Sequence, residues 1–102
     1  MATLIALYNK PADVAAFDDY YFSRHVPLAK TIPGLRRYET SSGAIGSAYT
    51  DSPYHLIAIL TFDSMDAIQA ALGSPEGKAT AGDLSNFAQA GVELLTFDTK
   101  EI

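Results

Sequence analysis

His55-Leu56-Ile57-Ala58-Ile59-Leu60-Thr61-Phe62 is the strongest strand signal in this chain of 102 residues, and it is apolar on both faces. Side chains alternate along an extended chain, so Leu56, Ala58, Leu60 and Phe62 share one face and Ile57 and Ile59 the other. Leu4-Ile5-Ala6-Leu7-Tyr8, closed by the turn signal Asn9-Lys10-Pro11, sets Leu4 and Ala6 against Ile5 and Leu7 in the same way. Strands of this kind belong at the centre of a sheet. A layer of helices can cover only one side of that sheet, which leaves a second apolar face to be hidden. A second copy packed sheet to sheet is the economical cover, so an obligate homodimer is expected.

Working outward, Asp13 can cap a helix in which Phe17, Tyr21, Arg24 and Leu28 recur at helical spacing. Pro27 removes an amide donor and crowds the preceding turn, which predicts a kink or a fresh helical start near His25. Pro33-Gly34 ends the segment, Leu35 to Ser42 reads as a more exposed strand, and Gly43 to Pro53 as a loop. After the strong strand, Asp63 or Ser64 can cap a helix over Met65, Ile68, Ala71 and Leu72. Ser74-Pro75-Glu76 supplies a second start, and Leu84, Phe87 and Ala88 carry helix on to Gly91. Val92 to Asp98 closes as a strand. The order βαββαβ predicts one α+β, ferredoxin-like domain over residues 1–102, a four-stranded antiparallel sheet with its helices on one face. The charged second and fourth strands suit its edges.

Composition narrows the function. Seven basic against twelve acidic side chains give a formal charge of −5, which disfavours nucleic acid as a partner. Apolar residues make up 48% and charged residues 19%, which excludes general disorder. The absence of Cys removes disulfides, Cys-ligated metals and a thiol nucleophile. The longest apolar run, Leu56 to Leu60, is too short to span a membrane, and Met1-Ala2-Thr3 does not open a signal peptide. The expectation is a cytoplasmic protein.

Chemistry has few places to sit. His25 lies four residues after Tyr21 and eight after Phe17, so the three can share a helical face beside the Pro27 interruption. It can serve as a proton-transfer group at a cavity edge or donate to a carbonyl freed at the kink. Phe17, Tyr20, Tyr21 and Phe22 fall within six positions, too many aromatic rings for one helix to direct into a core. An aromatic, hydroxyl-bearing cavity suits a flat apolar or phenolic molecule. His55 reads as an ordinary sheet-end histidine. Asp83 is explained by helix capping, with the orientation of His25 or Arg24 as its functional alternative. Arg24, Arg36 and Arg37 could bind a carboxylate. No Gly-rich phosphate loop, metal-ligand spacing or Ser-based triad is present, so no metal and no bound cofactor are expected.

The run from Phe17 to Ala29, with Tyr21-x-x-x-His25-x-Pro27-Leu28, followed by Ile32-Pro33-Gly34-Leu35-Arg36-Arg37-Tyr38, resembles the EthD family, named for ethyl tert-butyl ether degradation. Ala58 to Phe62, Ser74-Pro75-Glu76-Gly77 and Asp83 are similar too, so the likeness spans nearly the whole chain. The resemblance implies a dimeric α/β barrel and an oxidoreductase-like activity. Similar barrels include cofactor-independent monooxygenases, muconolactone isomerases and haem-degrading enzymes. It marks Tyr21, His25, Pro27 and Asp83, with Pro27 structural. The expected enzyme acts on an apolar or aromatic metabolite without a cofactor. His25 and Tyr21 are its catalytic pair, and Phe17, Tyr20, Arg24, Tyr38 and Asp83 bind the substrate. The competing expectations are an accessory protein that hands an apolar compound to an oxygenase, and an isomerase or dehydratase of the same barrel type.

Overall fold

A computed structural model describes residues 1–102. Four strands, β1 (Ala2–Asn9), β2 (Arg37–Thr40), β3 (Tyr54–Phe62) and β4 (Val92–Asp98), form an antiparallel sheet in the order β2-β3-β1-β4. The two doubly apolar strands are central and the charged strands are at the edges, as their patterns require. Register pairs Ile5 with Ile59 and Leu7 with Ile57 across β1 and β3, and Ile5 with Leu95 across β1 and β4.

The helices lie on one face. Between β1 and β2 run α1 (Val14–Tyr20), a π-helical turn (Tyr21–His25) and α2 (Val26–Ala29). Between β3 and β4 run α3 (Met65–Gly73), α4 (Pro75–Asp83) and a 3₁₀ turn (Leu84–Asn86). Local chemistry sets these boundaries. The side chains of Asp13, Ser64 and Ser74 each accept an amide hydrogen bond at a helix start. Gly77 brings α4 against the end of α3 so closely that a Cβ there would lie 2.0 Å from the Ala71 carbonyl oxygen. Only glycine permits that approach.

The core lies between sheet and helices, where Leu4, Ala6, Tyr8, Leu56, Ala58 and Leu60 meet Phe17, Tyr21 and Ile68. The uncovered face is therefore the set Ile5, Leu7, Ile57 and Ile59, all half-buried, continued on β4 by exposed Leu95 and Phe97.

Two sequence expectations are corrected. The second strand is regular only over Arg37–Thr40, although Arg36 and Ser41 extend its backbone pairing with Thr61 and Ile57. The second helical region does not reach Gly91. It ends at Asn86, where Phe87 leaves the helical conformation with φ at −143° and buries its ring. No helix is long and apolar enough to cross a membrane.

Candidate functional site

Pro27 builds the site. It has no amide hydrogen for the Ser23 carbonyl, and its ring would strike the preceding turn. The helix widens just before it, with the Val26 amide donating to the Tyr21 carbonyl across five residues. That wider turn brings Tyr21 and His25 to the same inner side, where both are buried and their rings lie 5.4 Å apart.

His25 is 4% exposed and its Nδ1 lies 2.9 Å from Oδ2 of Asp83, at the end of α4. A carboxylate can only accept, so Nδ1 carries the proton and Nε2 keeps its lone pair. Nε2 has no partner within the chain, yet no buried side-chain polar atom is both enclosed and unpaired. Nε2 is therefore the atom His25 presents to the small cavity it lines. Burial holds the imidazole below its ordinary 6.5, against the opposing pull of Asp83.

Asp83 is held on both oxygens. Oδ1 accepts from the Tyr20 hydroxyl at 2.6 Å and from Asn86 Nδ2 at 2.9 Å, while Oδ2 accepts from His25. Burial raises this carboxyl, but the bonds from Tyr20, Asn86 and His25 outweigh it and leave it below the usual carboxylate range. Phe87 lies 4.7 Å from the His25 ring, centroid to centroid, and fixes its orientation by packing. Asp83 stands at the start of the 3₁₀ turn, yet its side chain caps no backbone amide there. It bonds His25 instead, a contact across 58 positions of sequence.

Across the cavity the hydroxyls of Tyr21 and Tyr38 lie 2.6 Å apart. One donates to the other, so the pair retains one hydrogen to offer. The Tyr8 hydroxyl has no partner in the chain and lines the same cavity. Burial raises the pKa of all three phenols, which keeps them protonated as donors. The remaining walls are apolar, from Leu4, Ala58, Leu60 and Leu84 among others, and exposed Leu72 and Leu94 mark the mouth. The open space is about 60 Å³, far less than a ligand-engulfing pocket.

The structure brings His25, Tyr21, Tyr38, Tyr20 and Asp83 together, directly or through one hydrogen bond. Phe17 is core, stacked on Tyr21 at 5.9 Å, and does not line the cavity. Arg24 is exposed and lines no pocket. Tyr8, Asn86 and Phe87 were missed. Phe87 lies four residues beyond Asp83, and Tyr8 continues the inward alternation of Leu4 and Ala6, so both carried a legible signal. His55 is more than a sheet-end histidine, because its Nε2 lies 2.7 Å from Oδ1 of Asp18. No group of three or more His, Asp or Glu side chains is placed to hold a metal ion.

Residues 9–91 match the EthD domain. An uncharacterized 11.0 kDa protein from the thcB-thcC intergenic region of Rhodococcus erythropolis is 39% identical, over 100% of this chain and 98% of the other. The crystal structure of an ethyl tert-butyl ether d (ethd) family protein from Bacillus halodurans is 37% identical at a TM-score of 0.88, covering 98% of this chain and 99% of that one. Two remoter structures show the fold alone. SnoaB, a cofactor-independent oxygenase from Streptomyces nogalater, is 20% identical at a TM-score of 0.69, over 99% of this chain and 94% of its own. A dimeric ferredoxin-like protein of unknown function from Thermobifida fusca is 17% identical at 0.70, over 96% and 90%.

Proposed function

The chain belongs to the EthD family, and from that premise we propose that it is a small cofactor-independent oxygenase acting on an apolar or aromatic metabolite, with His25 as its proton-transfer group. The observation that carries the reading is the His25–Asp83 pair, 2.9 Å apart, at the wall of an apolar cavity with Nε2 unpartnered. An acidic C–H placed at Nε2 passes its proton to the ring, and the imidazolium forms against a carboxylate already fixed by Tyr20 and Asn86. The phenol pair Tyr21–Tyr38 offers its spare hydrogen to the oxygen on which the resulting negative charge gathers.

For an activated methylene the anion is electron-rich enough to reduce dioxygen. The carbon gives up four electrons, one oxygen atom enters as a carbonyl, and the other leaves as water with the two hydrogens. SnoaB, which shares the fold, is a cofactor-independent oxygenase, and this supports the general kind of chemistry. Pockets that enclose a drug-sized ligand run to about 300–1,000 Å³. Here only the reacting edge of the substrate enters the cavity, and its body lies across the mouth at Leu72 and Leu94.

The test is aerobic incubation with a panel of anthrones and phenols, following oxygen uptake and product. Turnover by the wild type and a loss of about 10²–10⁴-fold in folded His25→Gln are expected. Unchanged turnover in that variant would remove His25 from the role. Binding without conversion across the panel would favour the accessory role.

The homodimer belongs to the same proposal. Ile5, Leu7, Ile57 and Ile59 form a continuous patch at the sheet centre, flanked by Leu95 and Phe97. Each such side chain moved from water into an interface contributes about 1.5–3 kcal/mol before ordering costs, so a few of them rival the stability of a domain. Sedimentation should find a dimer, and Ile59→Lys should dissociate it. A folded wild-type monomer at micromolar concentration would contradict this.

A further inference from the structure

A second imidazole–carboxylate pair stands in a separate cleft. Val14, Asp18 and Phe22 are spaced four apart, so they share one face of α1 and its π-helical continuation. Opposite them the segment Thr40–Ile45 leaves β2, and Tyr54, His55 and Leu56 form the floor. The cleft is open on one side, its volume of about 760 Å³ is within the range of small-molecule sites, and it shares no lining residue with the His25 cavity.

His55 Nε2 lies 2.7 Å from Oδ1 of Asp18, and the Phe17 ring meets the imidazole edge-on at 5.2 Å, which fixes its plane. The carboxylate accepts, so Nε2 carries the proton and Nδ1 is left as an acceptor. Nδ1 has no partner in the chain and is not enclosed. Val14, Phe22 and Ile45 supply apolar wall to the same cleft, with Phe22 half-exposed. The occupant must therefore offer a hydrogen and an apolar body. An anionic head would set a second negative charge beside Asp18, and the wall carries a single Lys or Arg, the exposed Lys10.

We propose that this cleft is a second ligand site for a neutral aromatic alcohol, a phenol or naphthol, whose hydroxyl donates to His55 Nδ1 and whose ring packs against Phe22 and Ile45. The site stands independently of the proton-transfer role of His25.

Titration with naphthol, naphthalene and naphthoate, followed by amide NMR shifts, tests it. Naphthol should move the signals of Phe22, Ser42, Ile45 and His55 and bind about tenfold more tightly than naphthalene, the gain expected of one hydrogen bond. His55→Leu should abolish that preference. Phe22→Ala, at a half-exposed position, should weaken naphthol by about tenfold, as one aromatic contact implies. Shifts confined to the His25 cavity, tighter binding of naphthoate, equal affinity in Phe22→Ala, or no binding would each overturn the assignment.

Discussion

Two histidines each face a carboxylate at hydrogen-bond distance, 2.9 Å for His25–Asp83 and 2.7 Å for His55–Asp18, yet the pairs are built differently. The side chains of the first are 5% and 11% exposed, those of the second 20% and 44%. Asp83 accepts from three donors and His25 is packed by Phe87 and Tyr21. Asp18 accepts only from His55, whose ring is braced by one phenylalanine. Preorganisation separates them: the inner pair holds one tautomer in one orientation before any substrate arrives, while the outer pair keeps room for a ligand.

Substitutions should widen or collapse that contrast. The largest effect belongs to the ring that packs the inner pair. Phe87→Ala should lower stability by about 3–5 kcal/mol in urea denaturation, whereas half-exposed Phe22→Ala beside the outer pair should fall within about 0.5 kcal/mol. Next come the carboxylates. Asp83→Ala strands the buried Nδ1–H of His25 and should remove about 1–3 kcal/mol, while Asp18→Ala should again stay within about 0.5 kcal/mol. Equal losses for the two aspartates would mean that burial does not distinguish the pairs.

A smaller and more diagnostic effect is in pH. The folded-state value of His25 is lowered, chiefly by burial, so the stability of its neutral ring is complete above 6.5 and is lost as pH falls through the folded value. Asp83 is lowered too, and adds a loss in the same direction as pH falls below 3.8. Asp83→Asn takes away the group that pulls His25 upward. Its pH–rate profile should keep the neutral base to lower pH than wild type while the rate itself falls. An acid limb that moves upward would contradict the assigned geometry.

Much of this architecture was legible in sequence because it is local. Alternation in His55–Phe62 placed β3 at the sheet centre, Ser64 and Ser74 announced their helices, and Pro27 announced the interruption that carries His25. The family resemblance marked Tyr21, His25 and Asp83. What alternation left open was which face the helices cover, since both sets of β1 and β3 are apolar. The shortened second helical region was missed because Leu84, Phe87 and Ala88 continue a helical spacing. The chain leaves that spacing at Phe87 to pack the ring beneath Tyr8 and His25. Charge alone offers Arg24 as a ligand for a carboxylate, and charge says nothing of direction; the residue is exposed and lines neither cavity. The partners of Asp83 and of His55 are tertiary, 58 and 37 positions away, beyond any periodicity.

The central claim is that Asp83 holds His25 as a neutral imidazole protonated on Nδ1, with Nε2 free to take a proton. Nitrogen NMR of the His25 ring reads this without a substrate. At neutral pH the expected result is a protonated Nδ1, an unprotonated Nε2, and a titration midpoint below 6.5. A proton on Nε2, or a midpoint above that value, would contradict it.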